Sequence, residues 1–132
     1  MLALVEPAGR EVVMTQATAV AGTLDLTILS SGRDAVVRLV GQLDAATSRL
    51  LQAVLDPLLH RARQPTVQRL VLDCAGLRVA DASGMSPILH ARAVLGRRGG
   101  SVELRRLSQA VRQVIDVLDL TEFLDGDRTR PA

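Results

Sequence analysis

The chain has 132 residues, nearly half of them hydrophobic, with one aromatic residue (Phe123), one cysteine (Cys74) and a net charge of +2. That length makes one domain around one core, and the lack of aromatic rings means that Leu, Val, Ile and Ala must build it. The charge is too small, and the pairs Arg97-Arg98 and Arg105-Arg106 too scattered, for a nucleic-acid-binding face, while a single cysteine excludes an internal disulfide and fits a reducing compartment.

Residues 1–22 are small, polar and aperiodic; they are expected to be poorly ordered, with Met14 as an alternative start. The opening lacks the basic start and apolar core of a signal peptide. No apolar run approaches the length of a membrane span, so a soluble, cytoplasmic protein without direct membrane insertion is expected. In LDLTILS (24–30) the apolar residues Leu24, Leu26 and Ile28 alternate with Asp25 and Thr27, the pattern of a half-buried strand. SGRD makes a turn, and AVVRLVG (35–41) returns as the second strand of a hairpin.

The period then changes. Leu51, Val54, Leu55, Leu58 and Ala62 mark one face of a helix whose N-cap is Asp44. Pro57 lies inside it and predicts a kink or a break into two helices. RLVLD (69–73) has the continuous apolar character of a strand covered on both faces. A helix over about 84–98 stops at Gly99-Gly100, SVELRRL (101–107) is a strand, and Ser108 caps a helix that buries Val111, Val114, Ile115 and Leu118. Thr121 caps a last turn, EFL, before a flexible tail over 126–132. On a helical wheel Arg92 falls inside the stripe of Met85, Ile88, Leu89 and Leu95, and its stem is expected to lie on apolar surface with the guanidinium in water. The order β-β-α-β-α-β-α predicts an α/β fold, a mixed sheet of four to five strands packed with helices.

The residues show no nucleophile–base–acid set, so no catalytic residue is assigned and no enzyme is expected. His60 and His90 stand on exposed helical faces without partners at metal-ligand spacing, so neither a metal nor a cofactor is expected. Asp73 ends a buried strand as the acid of a receiver domain does, but the companion acids and lysine of such a site are missing. That leaves VADASGMSP (79–87), where a strand hands over to a helix. A helix start carries unpaired N–H groups and a partial positive charge, which stabilise a phosphate on a hydroxyl held there. By spacing alone, Asp81, Ser83 and Gly84 read as ordinary helix capping.

From RLVLDCAGLRVADASG through LDLTEFL, the chain resembles the STAS domain of anti-sigma-factor antagonists. The pattern is an apolar strand, an acid, a small loop, D-S-[ST]-G, an amphipathic helix, G-G, a strand, and a helix ending L-x-x-L-x-x-[LF]. GQLDAATSRLL is similar to the family's earlier G-E-[LI]-D-x-x-[TS] motif. The resemblance covers residues 23–125, which are expected to form the domain.

The resemblance implies a non-enzymatic switch in a bacterial transcription circuit. The unphosphorylated antagonist binds an anti-sigma factor with a histidine-kinase-like ATPase domain and so frees a sigma factor. That kinase phosphorylates the first hydroxyl of D-S-[ST]-G, the complex breaks, and a phosphatase resets it. Asp81, Ser83 and Gly84 match the motif and Asp44 matches the acid of the earlier one; with Ala82 and Met85 they form the expected partner-binding set, in a monomer or weak dimer. The phospho-acceptor position itself is Ala82, which cannot be phosphorylated, and Ser83 is the substitute that the neighbouring sequence offers. Pro87, Gln42 and Asp119 also depart from the pattern, Asp119 standing where a Gly is common. The alternative is a STAS accessory subunit that braces the ATPase of a lipid-transporting ABC system without being phosphorylated.

Overall fold

The sheet begins further toward the N-terminus than the periodicity indicates. In the computed structural model, which describes residues 2–5, 11–19, 22–60 and 66–120, β1 (Leu2–Val5) and β2 (Glu11–Ala19) pair antiparallel, and β2 pairs antiparallel with β3 (Gly22–Ser31). The run EVVMTQATA does not alternate cleanly between apolar and polar residues, so it carries no period-2 signal. Its place is set by the backbone ladder, with Val13 opposite Ile28 and Gln16 opposite Asp25. The sheet therefore has six strands in chain order, two more than the elements read from the sequence.

From β3 onward the expected order β-β-α-β-α-β-α holds. β3 and β4 (Asp34–Leu43) form the hairpin, with Leu26 opposite Leu39 and Ile28 opposite Val37. Those four side chains are buried, as the alternation requires. β5 (Arg69–Ala80) lies parallel to β4, and β6 (Ser101–Arg105) parallel to β5. The connections of both parallel pairs are helical, as such pairs require: α1 (Ala45–Leu59) joins β4 to β5 and α2 (Ser86–Arg97) lies between β5 and β6, with α3 (Gln109–Leu118) closing the described chain. All three helices bury their apolar stripes in one core cluster with Leu24, Leu39, Leu70, Leu72 and Leu104 of the sheet.

Within α1 the proline neither splits the helix nor starts a second one among the described residues. Pro57 falls in the last turn, and the helix ends two residues later with the His60 N–H on the Pro57 carbonyl. So close to the end, the backbone bond removed by proline matters little to the turns before it. Ala62, on the predicted face of this helix, Thr121 with its last turn, and the tail over 126–132 all lie outside the described residues.

β5 is buried continuously from Leu70 to Cys74; Leu70, Leu72 and Cys74 face the helices, while Val71 and Asp73 face the other side of the sheet. α2 buries Pro87, Ile88, Ala91 and Leu95, so its stripe is rotated away from Arg92, which is exposed. The helix stops where Gly99 takes a φ of +76° and the Gly100 N–H reaches the Leu95 carbonyl at 2.8 Å, a glycine-dependent end. Ser108 caps α3 through the Val111 N–H, and Leu118, expected in the core, is only half-buried.

Candidate functional site

Two corners of the chain meet at the C-terminal ends of β4 and β5. Leu43 and Ala80 are register partners in this parallel pair, so Asp44 and Asp81, the residues that follow them, leave the sheet side by side. The two sequence motifs, 37 residues apart by position (81 minus 44), are thus one structural site.

Asp44 is the N-cap of α1 in a reciprocal capping box. Its carboxylate accepts the Thr47 N–H at 3.0 Å, and its own N–H donates to Thr47 Oγ1 at 3.0 Å. The Thr47 hydroxyl also donates to the Gln42 carbonyl at 2.9 Å, which ties the helix back to the strand. Asp44 thereby fixes the corner.

Asp81 does the equivalent work one strand over. Its Oδ1 accepts the Gly84 N–H at 3.0 Å and the Ser83 hydroxyl at 2.7 Å. It caps a single 3-10 turn, Ala82–Met85, rather than the α-helix itself, which starts at Ser86. Sequence spacing, which predicts one helix from about residue 84, does not separate this turn from it. Gly84 is buried against β4: a Cβ there would lie 2.6 Å from the Leu43 carbonyl oxygen, so no larger residue fits without moving the corner. Met85 is fully buried and anchors the turn in the core; it is not available at the surface. Ala82 and Ser83 are exposed at the crown. Pro87 sits in the first turn of α2, where no backbone bond is lost.

Beside the crown lies an apolar groove that sequence reading missed. It is lined by Ala82 together with Gln113, Val114 and Val117 of α3, with a volume of about 180 Å³. Val117 is 80% exposed. Val79, just before the turn, is also exposed, so apolar surface borders the crown on the strand side as well. The available signal was Val117 itself, an aliphatic residue one step off the buried stripe of Val111, Val114 and Ile115.

The remaining reactive-looking groups are structural. Burial pushes the Cys74 thiol up to about 12, with the Asp73 charge adding to it, which leaves it a thiol and not a nucleophile. Asp73 sits on the face of the sheet opposite the helices, paired with Arg106 and, at 3.7 Å, with Arg38. Partial burial raises its carboxyl, but the Arg106 hydrogen bond, the Ala75 N–H and the two guanidinium charges outweigh that and hold it below the usual range. Glu103 is likewise lowered, first by its hydrogen bond from Arg69, against some desolvation and with help from Arg105. His60 and His90 are exposed and far apart in sequence. Among the described residues no group of three or more His, Cys, Asp or Glu could hold a metal ion, and no helix is long and apolar enough to cross a membrane.

Comparison with known proteins agrees with this fold. The family model described as "Mlab, STAS domain" matches residues 26–125. No curated protein matches the chain. Among solved structures, the anti-sigma factor antagonist SpoIIAA in its unphosphorylated form superposes with a TM-score of 0.62 at 18% identity, covering 87% of this chain and 85% of that one. The phosphorylated form of SpoIIAA, a Bacillus cell fate determinant, gives 0.60 at 17% identity over 87% and 88%. The murine Slc26a9 anion transporter gives 0.56 at 18% identity, over 70% of this chain but 15% of the transporter. At these identities the structural likeness is one of fold.

Proposed function

The chain belongs to the STAS domain family, and from that premise we propose that it is a non-enzymatic anti-sigma-factor antagonist held in its partner-binding form. The observation that carries this reading is Ala82 at the exposed crown of the Asp81 turn, beside the groove of Gln113, Val114 and Val117. In the family pattern that position holds the hydroxyl that takes the phosphate. Here it holds a methyl group that continues an apolar surface.

The proposed partner is an anti-sigma factor with a histidine-kinase-like ATPase domain. It docks over the crown and groove, contacting Ala82, Ser83, Val114 and Val117, while Asp44, Asp81, Gly84 and Met85 hold the surface in shape. Release of the sigma factor follows from occupation of the kinase by this chain. Without an acceptor at 82, the charge that ends the complex in switchable antagonists is not added. Ser83 is a poor replacement because its hydroxyl already donates to Asp81 Oδ1. A phosphate there exchanges that donor for a group of about −1.5 to −2 charge facing a carboxylate, which repels it.

The test is incubation with ATP and an anti-sigma-factor kinase from the same genome, read by intact mass and by complex formation. The reading requires a stable complex and no added phosphate. Stoichiometric phosphorylation on any residue removes the locked form, and failure to bind any such kinase removes the antagonist role. Parallel capture with the Ala82→Ser variant shows whether the ancestral geometry is intact: phosphate gained and partner lost means that it is.

A second reading is favoured by the family model that matches, which is described as Mlab and not as an antagonist. In it the same crown and groove brace the ATPase of a lipid-transporting ABC system, a permanent contact that needs no acceptor. Co-purification with a membrane-bound ATPase in place of a kinase selects this reading.

A further inference from the structure

β6 ends the strand order, so one of its edges has no strand beside it among the described residues. The Ser101 N–H points toward the β5 side, where it reaches the carbonyl of Gln68, the residue before that strand, at 2.8 Å. Strand alternation therefore turns the N–H and C=O of Val102 and Leu104 outward, toward that open edge. An unpaired edge of this kind templates the addition of a further strand.

Next to the edge runs a groove of about 530 Å³, lined on the α2 side by Leu89, Arg92, Ala93, Gly96 and Arg97 and on the strand side by Val102 among others. A Cβ placed on Gly96 meets no heavy atom within 4 Å, so the groove is open there. Two arginines line it and no acidic residue does. It shares no residue with the crown and groove around Ala82.

We infer that this edge and groove form a second docking surface, which takes an extended peptide segment of a partner in which acidic and apolar residues alternate. The backbone of the segment pairs with Val102 and Leu104. In an extended segment alternate side chains share a side, so its acids all enter the groove toward Arg97, and its apolar side chains lie on the face of the sheet opposite the helices. Charge decides against a second copy of this chain as the occupant. Two copies joined edge to edge about a two-fold axis set the arginines of both grooves against each other, and like charges at short range oppose such pairing.

The full chain is titrated with fluorescein-labelled eight-residue peptides: one alternating Glu with Val, its Lys-for-Glu counterpart, and the Glu peptide with alternate amides N-methylated. The inference predicts that only the first binds, with Arg97→Glu weakening it about tenfold and binding slowing hydrogen exchange at the Val102 and Leu104 amides. The N-methylated peptide tests backbone pairing without altering the protein. Three results each overturn the inference: equal binding of acidic and basic peptides, binding that leaves the Val102 and Leu104 amides unprotected, and no binding up to millimolar peptide. Protection of those amides that rises with protein concentration in the absence of peptide also overturns it, because the edge is then taken by a second copy.

Discussion

The carbonyl oxygen of Leu43 accepts the backbone N–H of Asp81 at 3.1 Å, and that bond joins the two corner motifs into one site. The same carbonyl stands 2.6 Å from where a Cβ on Gly84 would be. The site is therefore held by backbone approach, with the carboxylates of Asp44 and Asp81 acting as caps. Gly84→Ala is expected to cost about 2 kcal/mol of stability, seen as a lower urea midpoint at unchanged slope, together with faster hydrogen exchange at the Asp81 amide. An unchanged midpoint would show that the corner gives way more easily than its geometry implies.

Among the described residues Val117 is the most exposed of the large apolar side chains, and it borders the groove at Ala82. Such a residue does little for folding, so Val117→Asp should change stability by no more than about 0.5 kcal/mol. If the crown and groove are the docking surface, it should nevertheless weaken partner capture by at least about tenfold, because a charge must then be desolvated against apolar surface. Capture by a pull-down and thermal melting of the same sample separate the two effects. Undiminished capture moves the docking surface elsewhere.

What the sequence made legible were features governed by neighbours along the chain. Alternation at Leu24, Leu26 and Ile28 sets the hairpin face, Asp44 and Ser108 cap their helices, and Gly99 ends α2. Asp81 and Gly84 were found because a cap and a close approach leave residue types behind. What stayed hidden depends on distant parts of the chain. β2 is placed by its ladder to β3, and the groove exists only because α3 brings Val117 to Ala82. Met85 reads as a contact residue from the family motif and as part of the apolar stripe from helical spacing, and it is buried, so here the spacing is the better guide.

The charges on the face of the sheet opposite the helices make stability depend on pH in one direction. Asp73 and Glu103 both have folded values below their ordinary ones. Their contribution is thus complete above the unfolded carboxylate values of about 4 and is lost as pH falls through the folded values. Asp73→Asn keeps the shape and removes the charge. It should be less stable than the parent by about 1 kcal/mol at pH 7, with the gap closing by about pH 2–3. Urea denaturation of both proteins at the two pH values checks this, and a gap that persists in acid assigns the loss to packing.

Asp119 follows α3 with φ 54° and ψ 46°, the left-handed conformation that costs an L residue about 1 kcal/mol or more and costs glycine nothing. Its carboxylate also sits at the helix C-terminus, where the partial charge is negative and the interaction unfavourable. Both penalties disappear in Asp119→Gly, offset in part by the extra freedom of glycine in the unfolded chain. The variant should gain about 0.5–1 kcal/mol, a rise of a few degrees in melting temperature for a domain of this size. Asp119→Asn removes only the charge and should recover a smaller part. If Asn recovers all of it, the helix-end charge and not the backbone conformation is what this position costs the fold.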